Sequence, residues 1–143
     1  MWDHSKSLWL SELWVKAALV CWLLLCLALP LALRAGWLGQ VAGVFWLLFY
    51  LFSVPLCIVF WCLDRLLVNI KGGEVFAADN IRQLRTISWS CFWGALLLLV
   101  GSLWDGRIIL LSGIMGFFGL LMRVVKNVFA EAIVIKEEND YTI

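Results

Sequence analysis

Side chains able to do chemistry are few in this chain, and most fall in two short stretches. The first is Lys71 to Ser88 (Lys-Gly-Gly-Glu-Val-Phe-Ala-Ala-Asp-Asn-Ile-Arg-Gln-Leu-Arg-Thr-Ile-Ser). The second is the tail, Phe129 to Ile143, where Glu137, Glu138 and Asp140 cluster. Carboxylates do acid–base work when a histidine or a second carboxylate is held beside them. Glu74 and Asp79 have neither in reach along the chain, and the single histidine is His4. The five cysteines are Cys21, Cys26, Cys57, Cys62 and Cys91, all in apolar runs and none in a Cys-x-x-Cys or Cys/His grouping. That pattern lacks the ligand spacing of a structural metal site. The thiols read as small hydrophobic side chains, and Cys62, near the end of an apolar run, is the one positioned for S-acylation. No phosphate-binding loop, zinc-protease motif or nucleophile elbow occurs. The expectation is a non-enzyme, without metal or cofactor, whose polar stretches bind rather than react.

The elements that carry these stretches are set by composition. Of 143 residues, 64% are hydrophobic and 15% charged, and the mean hydropathy is +0.98. Soluble domains are only about half apolar, and a chain this short leaves much of its surface exposed. Lipid must therefore solvate most of it. Four apolar spans are expected, at about residues 13–33, 41–63, 89–104 and 108–125. A secretory leader is the competing reading of the first. Its apolar region would be shorter and would end in small residues, whereas here Ala-Leu-Arg-Ala follows a longer run. Pro30 is expected to kink or end the first span. Pro55 lies inside the second, where neighbours can satisfy the freed carbonyl. Asp105-Gly106-Arg107 makes a tight turn between the last two spans. The third span is short, so its helix is expected to begin in the preceding polar segment. The helix of the fourth is expected to reach Ala130.

Between spans two and three, Gly72 and Gly73 free the backbone to turn. Phe76, Asn80, Leu84 and Ile87 then recur every three or four residues, one stripe of a helix. Asp79, Arg82, Gln83, Arg85 and Thr86 cover its other face, which suits a helix at a membrane surface or a plain connector. In the tail, Ile133, Val134 and Ile135 favour a short extended segment. The acidic residues after it suit solvated disorder, pairing with the basic loop, or a docking surface. Gly113, Gly116 and Gly119, with Ser112, allow close helix approach in lipid, either within the chain or in a homodimer. Trp9, Trp14, Trp37, Trp61, Trp89 and Trp104 fall near span ends as interfacial anchors. Trp22, Trp46 and Trp93 lie deeper and suit packing. No charged residue lies mid-span, so the usual mark of an ion path or proton relay is missing. The architecture expected is all-α, an integral membrane four-helix bundle of two transmembrane hairpins. A cytoplasmic interfacial helix lies between spans two and three within residues 64–88, and the whole chain is a single membrane domain.

The chain resembles DUF2975, a family of small four-span bacterial membrane proteins of unknown function. One point of likeness is Gly-x-x-x-Phe-x-x-x-Asn-x-x-x-Leu-Arg, here Gly72, Phe76, Asn80, Leu84 and Arg85. The other is the ending Lys-Glu-Glu-Asn-Asp-Tyr-Thr-Ile, similar to the family's Glu-Asn-Asp-Leu-Thr-Ile with Tyr141 in place of leucine. The likeness runs the length of the chain, although the spans match only as generic apolar sequence. Family members are often encoded beside a small helix-turn-helix regulator. The resemblance thus implies a membrane protein that holds or senses for a transcription factor. It marks Gly72, Phe76, Asn80, Leu84, Arg85, Glu137, Glu138, Asn139, Asp140, Thr142 and Ile143 as partner-binding residues. Direct nucleic-acid binding is not expected. The alternative class is a lipid-, peptide- or small-molecule-handling protein, such as an immunity factor or a transporter subunit, supported by the deep tryptophans and the span prolines.

Orientation follows from the distribution of the 11 Lys and Arg residues. With four spans, Lys6, Lys16, Arg65, Lys71, Arg82, Arg85, Arg123, Lys126 and Lys136 share one side, and only Arg34 and Arg107 lie on the other. Basic residues are retained on the cytoplasmic side, so both termini are expected inside the cell, in a bacterial inner membrane. We predict that a reporter active only in the cytoplasm works when fused at Ile143 and fails when inserted near Gly36. The opposite pattern of reporter activity would overturn this topology.

Overall fold

A computed structural model describes residues 4–36 and 43–142. The expected anchor Trp37, the first residues of span two and Ile143 lie outside them. Four α-helices make up the described residues: α1 (His4–Arg34), α2 (Gly43–Lys71), α3 (Ala78–Gly101) and α4 (Ile108–Tyr141). All four are long and apolar enough to cross a membrane, and no strand occurs among the described residues. The protein is a multi-pass membrane protein. Its lipid-facing surface is made of exposed Leu, Phe and Trp side chains such as Leu27, Leu110 and Phe117.

The helices pack as an open row rather than a closed bundle. Each touches its neighbour in the chain, and no close backbone approach joins α1 to α4 among the described residues. Side-chain contacts show successive helices running antiparallel. Ser88 meets Gly119 and Ser112 meets Ala95 across α3 and α4, while Asn69 meets Asn80 across α2 and α3.

The centre of the row is α3, whose buried face mixes polar and small residues with Leu84 and Ile87. Asn80, Gln83, Ser88 and Ser90 are buried there beside Ile87, Cys91 and Gly94. In hydrocarbon, burial of apolar surface does not drive helices together, so small residues and hydrogen bonds set the packing. The Ser88 hydroxyl donates to the Gly119 carbonyl at 2.8 Å, and that of Ser112 donates to Ala95 at 2.7 Å. Gly94 sits between Phe52 of α2 and Met115 of α4. Gly116 and Gly119 both face α3, whereas nothing stands within 4 Å of the place where a Gly113 side chain would begin. Two of the three glycines expected to mediate close approach are therefore used within the chain.

Several local expectations change. Of the two outcomes expected at Pro30, a kink or an end, the helix end does not occur, and α1 runs on to Arg34. As the shortness of the third span implies, its helix begins in the polar segment: residues 78–88 are the first turns of α3 and not a separate surface helix, because no Gly or Pro interrupts the chain before the span. The tail is helical to Tyr141, not extended at Ile133–Ile135. Lengthening an existing helix needs no new nucleus, and this outweighs the modest strand preference of three β-branched residues. Cys62 is buried against Ile87 and Cys91, which closes it to acylation. Trp93 points outward rather than into the packing.

Substituting Gly119 tests the α3–α4 seam. A side chain there would begin 3.2–3.3 Å from Phe92 and Cys91 atoms. Gly119→Val is expected to cost about 1–3 kcal/mol, seen as earlier thermal unfolding in detergent. Gly113→Val should leave the melting curve unchanged.

Candidate functional site

The helix ends that carry the nine clustered cations form one end of the row, here called the basic end. It is built around the turn from α2 to α3. Gly73 takes φ +86°, a left-handed conformation that glycine adopts without a side-chain penalty. Gly73 N–H donates to Ile70 C=O and Glu74 N–H to Asn69 C=O, both at 3.1 Å. This pair of bonds closes α2 as a Schellman cap.

Asn80 then ties the turn to both helices. Its side-chain amide donates to the carbonyls of Glu74 (2.7 Å) and Val75 (2.8 Å) and accepts from Asn69 Nδ2 (2.9 Å). Asn69 Nδ2 also donates to Asp79 Oδ2 at 3.1 Å. Asn80 is 0% exposed and Leu84 2%, so neither side chain is available to a partner. Phe76 lies before α3 begins and rests on Phe129 of α4, ring centroids 6.0 Å apart. Of the residues expected to bind a partner, Asn80 thus ties the turn together and Leu84 is buried. Gly72, Phe76 and Arg85 are exposed.

Beside this turn, α1 is joined to α2 by charge. Glu12 takes Lys71 Nζ at 3.1 Å and also pairs with Lys16, which lies 3.7 Å from Asp64 Oδ1. The Glu12–Lys16 spacing was legible as a helical pair. The long-range links to Lys71 and Asp64 were not. Such surface pairs contribute little stability; α1 also meets α2 where Tyr50 donates to the Cys26 carbonyl and Trp22 stacks on Phe49.

The α4 helix continues past the turn. Its 34 residues span about 51 Å at 1.5 Å per residue, against a hydrocarbon thickness of about 30 Å. Because Phe129 lies level with Phe76, the residues after it run beyond the start of α3. From Val134 to Thr142 every residue is exposed. This projection presents Glu137, Glu138, Asn139, Asp140 and Thr142 together with the apolar Val134, Ile135 and Tyr141.

Two cavities open between the helices. One, of about 280 Å³, lies between α3 and α4 at the basic end, lined by Arg85, Ser88, Trp89, Arg123 and Lys126. The other, of about 310 Å³, is apolar and lies toward the far end, where Trp46, Phe49 and Phe52 of α2 meet Leu97 and Gly101 of α3. Trp46 lines it, while Trp22 stacks on Phe49 next to it at 5.3 Å between ring centroids. Among the described residues, no three His, Cys, Asp or Glu side chains come together.

A family model described as "Protein of unknown function (DUF2975)" matches residues 14–143. The chain belongs to the DUF2975 family. No curated protein and no solved structure matches it. Both polar stretches of this DUF2975 protein fall within the matched residues, and they occupy the same end of the row. The sequence pattern missed Asn69 as the partner of Asn80, since a lone Asn near a helix end carries no signal of what faces it. It also missed the joining of Arg85 to Arg123 and Lys126, which needs the α3–α4 register.

Removing the Asn80 amide strands two carbonyls in the turn. Asn80→Ala is expected to loosen residues 72–77 by about 1–3 kcal/mol, read as faster amide hydrogen exchange there, while exchange in the middle of α3 stays slow. Unchanged exchange at residues 72–77 would remove Asn80 from this role.

Proposed function

We propose that this protein is a non-enzymatic membrane regulator, with both termini in the cytoplasm, that docks a small helix-turn-helix protein on the projecting end of α4. The observation that carries this reading is the helical continuation of α4 to Tyr141, with its acidic and apolar side chains exposed together. A helix ordered before binding loses less entropy on docking than a disordered tail. Its carboxylates complement the basic face by which such a protein holds DNA, so docking would compete with phosphate contacts. The rigid α2–α3 turn and the Phe76–Phe129 contact set the direction in which α4 leaves the membrane. Gly72, Phe76 and Arg85 are the exposed motif residues a partner could reach beside it.

The apolar cavity favours a second reading, a protein that handles a lipid, peptide or other apolar small molecule. Trp46 in its wall makes that reading visible, because an occupant would change the fluorescence of this residue.

The experiment is purification from native membranes in mild detergent through an N-terminal tag, leaving the tail free. The expected result is a co-purifying small DNA-binding protein, whose retention falls at least tenfold when Glu137, Glu138 and Asp140 are replaced together by Ala. Equal retention by the variant at low salt would refute docking on the tail. A preparation carrying a bound apolar molecule and no protein would transfer the assignment to the cavity.

A further inference from the structure

We propose that the cleft between α3 and α4 at the basic end is a phosphate site, and that its occupant is the phosphate of an anionic lipid headgroup. Three cationic side chains from two helices converge there: Arg85 of α3 with Arg123 and Lys126 of α4. Among the described residues none of the three pairs with a carboxylate, and no carboxylate lines the cleft. Three like charges gathered without a counterion repel one another, and an anion between them relieves this. The cleft is therefore matched to a ligand of negative charge.

The helix register brings the three together. The Ser88–Gly119 bond fixes α3 against α4 one turn from Arg85 and from Arg123. Since the Ser88 hydrogen is engaged by Gly119, the charged donors left for an anion are the two guanidinium groups and the ammonium, with the Trp89 indole N–H as a neutral donor in the lining. Guanidinium forks match the paired oxygens of a phosphate. Trp89 forms the wall, with the Arg123 guanidinium carbon 6.0 Å from its ring centroid, a cation–π distance. That contact orients Arg123 without neutralising it.

The level of the cleft argues for lipid as the source of the phosphate. Arg123 follows directly on the apolar run that opens α4, and Trp89 stands where α3 turns from polar to apolar. Tryptophan at such a boundary sits at headgroup depth, and basic pockets between helices at this depth suit anionic headgroups. The phosphate concentration there far exceeds that of free phosphate in solution. The acidic end of α4 does not compete, because the unbroken helix carries Glu137 away from Arg123 by about 21 Å.

The test uses the full chain in phosphatidylcholine nanodiscs, with phosphatidylglycerol added to a fifth of the lipid or with inorganic phosphate added to the buffer. Thermal stability and the lipid retained on transfer to detergent are measured. Wild type should melt higher with phosphatidylglycerol and retain it over phosphatidylcholine. The double variant Arg85→Gln/Arg123→Gln should lose that retention at least tenfold. Arg82→Gln/Lys136→Gln, which removes the same charge outside the cleft, should change it less than twofold. Both arginines are exposed and glutamine keeps much of their length, so the fold should survive, and Arg123→Lys should keep most of the binding. Stabilisation by inorganic phosphate alone, lost in the same double variant, would uphold the phosphate site and reassign its source to solution. Equal losses in the two double variants, or no preference for phosphatidylglycerol in wild type, would overturn the proposal. No partner protein enters the measurement, so its outcome is independent of docking on α4.

Discussion

Hydrocarbon solvent removes the force that assembles most soluble folds, and the structure depends on what replaces it. Lipid tails satisfy a leucine as well as another leucine does, so helices associate where backbones come close and polar side chains find partners. In this protein that place is α3. Its inward face carries Ser88, Cys91 and Gly94, while Trp89, Trp93 and Leu96 face outward. The hydroxyl bonds from Ser88 to Gly119 and from Ser112 to Ala95 fix the α3–α4 register at two points. With this register fixed, Arg85 of α3 is brought beside Arg123 and Lys126 of α4 at the basic end.

That arrangement links a structural turn to the exposed functional surfaces. Asn80 is sealed inside the α2–α3 turn, and its bonds to Glu74, Val75 and Asn69 consume its amide. Phe76 leans on α4 through Phe129. The stretch richest in polar residues is thus mainly a joint, and the surfaces open to other molecules lie on either side of it. One is the acidic projection of α4. The other is the cationic cleft. On the proposed reading, these opposite charges, presented by one helix about three to four turns apart, would serve lipid and a cytoplasmic partner separately.

Much was legible in the sequence because membrane solvation is a strong constraint. The number of spans, the flip at Gly72-Gly73 and the clustering of cations at one end all follow from hydropathy, glycine chemistry and charge. Legibility failed where two tendencies competed locally. The β-branched run Ile133-Val134-Ile135 lost to continuation of α4, and the stripe after Ala77 became the first turns of α3, as the shortness of the third span implies, rather than a separate surface helix. The motif residues Asn80 and Leu84 were visible as a helical stripe, but a stripe does not say whether it faces a partner molecule or the chain's own neighbours.

The sequence by itself determined that this is a membrane protein of four apolar helices within the DUF2975 pattern, because bilayer thickness and backbone satisfaction leave few alternatives. Only the tertiary structure decided which side chains meet. It placed Arg85 with Arg123 and Lys126, sealed Asn80, turned Gly116 and Gly119 inward, and left the end of α4 free. The physical reason is that helix pairing in lipid rests on a few short-range contacts between residues distant in the chain. Such contacts leave no periodic trace in a single sequence.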